Sequence, residues 1–94
     1  MKTIPGQAFT PSYKSASGAV KASEGLVAGV VVTAGADAAS VVLSDASDNS
    51  APKLSIKAAA GATASVSFPY PVVFSTAIYA TITGTSPAIT VLYI

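Results

Sequence analysis

A small antiparallel β-sandwich or barrel is the fold class that the sequence predicts, on three observations. First, several runs alternate apolar and polar residues with period two, the side-chain period of a strand. In the last third, Ile78, Ala80 and Ile82 alternate with Tyr79, Thr81 and Thr83, and Ile89, Val91 and Tyr93 alternate with Thr90, Leu92 and Ile94. Second, Gly, Pro, Asn and Asp punctuate these runs at intervals of roughly 8 to 12 residues, the spacing of short strands in sandwiches and barrels. Third, no stretch of useful length carries a helical period; residues 58–62 are Ala-rich, but Gly61 interrupts them.

In chain order, residues 1–17 carry Pro5, Gly6 and Pro11 with isolated large apolar residues Ile4, Phe9 and Tyr13. Proline disrupts helices and central strands alike, so this segment is expected to be an extended arm, either lying on a neighbouring subunit or frayed as termini often are. Fully stretched, it reaches about 55 Å. Residues 18–94 are expected to form the sandwich. Residues 18–23 are a first strand, and residues 26–33, a β-branched run bounded by glycines, read as a buried central strand. Residues 39–44 follow, so residues 26–44 look like a hairpin. Lys53, Ser55 and Lys57 alternate with Leu54, Ile56 and Ala58, which predicts a strand with one wet face. Residues 64–68 alternate again, Pro69-Tyr70-Pro71 predicts an irregular connection, and residues 72–74 predict a short strand. Gly84 and Pro87 between the two closing runs predict a terminal hairpin. The total is about eight short strands in one domain, since 94 residues leave no room for a second.

Composition narrows the function. Cysteine and histidine are both absent, which removes disulfides, thiolate metal sites and the commonest general acid/base at neutral pH. Charged residues are 10% of the chain, against roughly 25% in ordinary soluble domains. So little charge, with a hydrophobic fraction of 51%, predicts that part of the surface meets other polypeptides. Net charge is +1 and the five lysines are scattered, so no basic face for nucleic acid is expected. The start of the chain lacks the apolar core of a secretory signal, and residues 25–32 fall far short of the roughly 20 that span a bilayer. A chain made in the cytoplasm and not inserted in a membrane is expected.

The residues that could carry chemistry are few. Asp45, Asp48 and Asn49, with Asp37, offer oxygen ligands for calcium, but the spacing is not that of a known loop and turn formation explains them better. Thr81-Ile82-Thr83 occurs once without a repeat, as ordinary strand propensity allows. No serine has a histidine to activate it, and Lys53 and Lys57 on a wet face lack the burial that a Ser-Lys hydrolase needs. The chain is therefore expected to be no enzyme, with neither cofactor nor metal. The tyrosines could serve a sugar or a peptide instead; with the residue 45–49 loop they leave a carbohydrate-binding module as an alternative.

Val20-Lys21-Ala22-Ser23-Glu24-Gly25-Leu26-Val27-Ala28-Gly29-Val30, then Phe68-Pro69-Tyr70-Pro71 through Ala77-Ile78-Tyr79-Ala80-Thr81-Ile82-Thr83-Gly84, and the closing Ile89-Thr90-Val91-Leu92-Tyr93, resemble small β-rich virion proteins of tailed bacteriophages. The resemblance covers roughly residues 20–94 and leaves the arm unmatched. It implies a β-sandwich of jelly-roll-like type on the outer capsid surface, a head decoration or cement protein that binds the major capsid protein lattice and stabilises the shell. A homotrimer is expected, and neck or head-fibre attachment proteins look similar. Ile4, Phe9 and Tyr13 in the arm, with Tyr70 and Tyr79, are the expected partner contacts.

Overall fold

The computed structural model describes residues 9–94. Eight strands and no helix occur among them: β1 (Thr10–Lys14), β2 (Gly18–Lys21), β3 (Gly25–Thr33), β4 (Ala39–Ser44), β5 (Pro52–Ala58), β6 (Thr63–Phe74), β7 (Ile78–Thr83) and β8 (Ala88–Tyr93). They form two antiparallel four-stranded sheets, ordered β1-β8-β3-β6 and β2-β7-β4-β5. Pairing is nested: β1 with β8, β2 with β7, β3 with β6 and β4 with β5, while β3·β8 and β4·β7 close the two sheets.

One core joins the sheets. Val27, Val30, Val32, Ile89 and Val91 from the first sheet pack with Val41, Leu43, Ala58, Ile78 and Ala80 from the second in a single buried cluster. Alternation reported the buried face correctly on β5, β7 and β8, where Leu54, Ile56 and Ala58, Ile78, Ala80 and Ile82, and Ile89, Val91 and Tyr93 face inward. Phe74, at the end of β6, is the largest fully buried side chain.

Two expected hairpins are not hairpins. β7 lies in one sheet and β8 in the other, and the same holds for β3 and β4. Residues 84–87 and 34–38 therefore cross between layers, and the only consecutive strands that pair with each other are β4 and β5. The physical reason is that alternation fixes which face of a strand is apolar, not where its partner lies. Ile78 and Ala80 face the core from one side, and Ile89 and Val91 face it from the other.

The two crossings pack together at one end of the molecule. Gly84 has a positive φ of 124° and Ser86 one of 51°, which bends the chain from one sheet to the other. Thr85 Oγ1 donates to Asp37 Oδ2 at 2.6 Å. A Cβ on Gly35 would collide with the backbone oxygen of Thr85, an atom that cannot swing aside. Gly35→Ala is therefore expected to destabilise by about 1–3 kcal/mol, as overpacking does; a denaturant midpoint equal to wild type would show that this crossing yields freely.

Within the segment expected as an arm, Thr10–Lys14 is extended and paired along β8, from Thr10↔Tyr93 to Lys14↔Ile89. Pro11 is tolerated there because β1 is an edge strand, where one N–H of each pair of residues faces outward. Residues 1–8, Ile4 among them, lie outside the described residues. The expected strands at 64–68 and 72–74 are one strand, β6, with an excursion. Ser67 pairs with Gly29 and Val72 with Val27, so residues 68–71 bulge out opposite Ala28 alone.

Candidate interaction surface

Each strand of the β1-β8-β3-β6 sheet has an outward set of residues, and the register aligns them in rows. Tyr13, Thr90, Val31 and Ser65 form one row across the four strands. Pro11, Leu92, Gly29 and Ser67 form the next, and Ala88, Thr33 and Thr63 the third. The Leu92 side chain lies above Gly29, where a Cβ would come within 3.6 Å of its Cδ1. Thr33 Oγ1 and Thr63 Oγ1 hydrogen-bond at 3.2 Å. No row contains a charged residue.

The outer face of the second sheet differs. Lys57 sits beside Ser40, whose hydroxyl bonds that of Thr83 at 2.6 Å. Lys53 and Lys57 flank Ser55 on the exposed side of β5. One broad face of the molecule is thus neutral and hydroxyl- and methyl-bearing, and the other carries Lys57, while Lys53 at its edge is ion-paired with Asp45.

The four edges are poor templates for pairing. Pro11 interrupts the donors of β1 and Pro69 and Pro71 those of β6, Pro52 and two lysines mark β5, and β2 is short with a register shift between Ala19 and Lys21. Faces rather than edges are left free to meet a partner.

Of the expected contact residues, Tyr13 is 69% exposed on β1 and Tyr70 is 86% exposed in the β6 bulge. They stand on opposite edge strands of one sheet. Tyr79 is half-buried and points outward from the second sheet, between the buried Ile78 and Ala80. Phe9 is half-buried, and Ile4 lies outside the described residues. The neutral rows on β3, β6 and β8 were not singled out from sequence. The signal was present: the polar positions of β5 are Lys, Ser and Lys, whereas those of β6 and β8 are Ser and Thr.

The acidic loop is built for structure. Asp45 Oδ1 accepts the N–H of Thr76 at 2.7 Å and of Ala77 at 3.4 Å; Oδ2 accepts the N–H and hydroxyl of Ser75, both at 3.1 Å, and Lys53 Nζ at 3.2 Å. Lys53 Nζ also donates to the Val73 carbonyl at 2.6 Å and lies 5.2 Å from the centre of the Phe74 ring. The Thr76 N–H first, then the Ser75 N–H, the Lys53 ammonium and the Ser75 hydroxyl hold the Asp45 carboxyl well below the usual carboxylate range, outweighing its partial desolvation. Asp48 is held low by Ser50, whose N–H donates to Oδ1 at 2.9 Å in a local Asx turn. Among the described residues no group of three acidic, His or Cys side chains gathers that could hold a metal ion, and there is no cavity.

No family model, curated protein or solved structure matches this chain.

Proposed function

We propose that the chain is a non-enzymatic structural subunit of a tailed-bacteriophage virion, a capsid decoration protein that binds the major capsid protein lattice from outside and stabilises the head. The observation that carries this reading is the uncharged sheet face on a chain with only 10% charged residues, because a face free of charge is cheaply desolvated against another protein. The fold is proposed to be a jelly roll. Its support is the nested pairing, in which strands one and eight, two and seven, three and six, and four and five run side by side, as when one long antiparallel ribbon is rolled up. Jelly rolls recur in viral capsid and lectin domains, so this support is an analogy of fold. The sequence resemblance adds three copies per assembly and the outer capsid surface; attachment at the neck or a fibre base is the same reading at another place on the particle.

Stabilisation follows from linkage, because a protein that binds only the assembled shell shifts the equilibrium toward it. The test adds purified protein to heads lacking it. Saturable binding with a gain in thermal resistance is the expected result, and no binding at any concentration overturns the reading. One observation favours a second reading, a carbohydrate-binding module: Tyr70 stands 86% exposed between two prolines, and an exposed ring can stack on a sugar. Binding on a glycan array that Tyr70→Ala abolishes would favour it.

A further inference from the structure

We propose that β1 is an exchangeable strand, able to leave its own sheet and lie along β8 of a second copy of this chain; this stands independently of what the assembled protein binds. Three observations carry it. The first is that β1 puts nothing into the core. Residues directly opposite on an antiparallel pair share a face, so the inward positions of β1 are Thr10, Ser12 and Lys14, opposite Tyr93, Val91 and Ile89. All three are polar, and no residue of β1 belongs to the buried core or to the apolar side chains packed against it. The other edge of the sheet differs, for β6 sets Ala64, Val66, Phe68 and Val72 on the core. β1 is therefore held by its backbone ladder to β8, and that ladder is the same whichever copy supplies the strand.

The second observation is the hinge. Only the exposed residues 15–17 carry the chain from the first sheet to the second, and a connection this short favours exchange between copies. The third is a placeholder on β7. Ser17 Oγ accepts the Ile82 N–H at 2.8 Å and donates to the Ile82 carbonyl at 3.4 Å. β2 pairs with β7 through Gly18↔Ala80 and Ala19↔Tyr79, and the same register run back two residues sets Ala16 opposite Ile82. The serine hydroxyl thus fills the two hydrogen bonds that the Ala16 backbone makes when β2 runs straight on. Ile82 is satisfied in both arrangements. A straightened β2 carries Ser12, six residues before Gly18, roughly 20 Å beyond it, clear of its own β8 and free to pair with another. Neither arrangement loses a ladder, so protein concentration decides between them.

The chain has no cysteine, so engineered thiols report alone. Tyr13 and Thr90 lie directly opposite on the outward face, at the Cα separation that a disulfide spans. Chains carrying Tyr13→Cys are mixed with chains carrying Thr90→Cys, refolded together from urea at low and high concentration, and oxidised. Tyr13→Cys mixed with Ser65→Cys, on the far edge strand of the same row, measures chance contact. A disulfide joining the first two chains, well above that control and rising with concentration, is the expected result. Ser17→Ala in both chains is expected to raise it about five-fold, because it removes hydrogen bonds that serve only while β1 lies on its own sheet. Ser17 is exposed, so this variant is expected to fold, and the pair that keeps Ser17 is readable without it. A link no greater than the control, or one that Ser17→Ala leaves unchanged, overturns the inference.

Discussion

Phe74→Ala is expected to lower stability by about 3–5 kcal/mol, the range for deleting a buried aromatic. Against a total of roughly 5–15 kcal/mol for a domain of ordinary stability, this brings the chain near unfolding at room temperature. The cost is large because the rest of the core is built from small residues. Valine and alanine dominate it, with Leu43, Ile78 and Ile89 the only other large, fully buried side chains among the described residues. Small rigid neighbours on paired strands cannot flow into the space a ring leaves, so a cavity persists. The ring also lies beneath the Lys53 ammonium, so its loss loosens the link from Lys53 to Asp45. Phe74→Leu keeps most of the volume and costs less. Urea denaturation followed by circular dichroism measures both; equal midpoints for wild type and Phe74→Ala would mean that the core closes over the gap.

Asp45→Ala is expected to be the most damaging substitution of a loop residue, because one carboxylate fastens three separate parts of the chain. It sits just after β4, holds the amides of residues 75–77 between β6 and β7, and binds Lys53 on β5. Without it these amides lose their partner at a corner that joins the two sheets. Asp45→Asn is expected to be nearly as harmful, since asparagine offers one acceptor oxygen and turns an NH₂ group toward donors. The pH dependence follows from the depressed carboxyl. The folded state favours the ionised form, so the contribution is fully present above the ordinary carboxylate range and is lost as pH falls through and below it. Wild type should thus show a flat midpoint at neutral pH and a decline below about pH 4. Asp45→Asn should start lower and decline less steeply, with Asp48 supplying part of the remaining acid dependence. Parallel pH curves for the two proteins would show that Asp45 is not the titrating latch.

Strand positions are readable in the sequence because alternating or β-branched runs are bounded by Gly, Pro or polar loops. Residues 39–44 are a strand with the bounds that the sequence suggests. Layer assignment was not readable. A turn between strands of one sheet and a crossing between two sheets use the same residues, and Gly84 and Pro87 serve the crossing as well as they would a hairpin. Pro11 predicts an arm because it excludes a central strand, yet it leaves open the edge strand that β1 is. Pro69-Tyr70-Pro71 predicts a break between strands, whereas pairing with β3 resumes beyond it. In the acidic loop, Asp48 behaves as the turn residue that its neighbours suggest. Asp45 does not, because its partners lie some 30 residues further along the chain, where no local pattern reaches.

The proposed contact face is the neutral outer face of the β1-β8-β3-β6 sheet, and Lys57 marks the face opposite. Covalent footprinting of the chain free and bound to virus heads tests that placement most directly, with hydroxyl radicals reporting on Tyr13 and Leu92 and lysine acylation on Lys57. Protection of Tyr13 and Leu92 in the bound state, with Lys57 as reactive as in the free chain, is the predicted result. Protection of Lys57 with Tyr13 and Leu92 unchanged would contradict it.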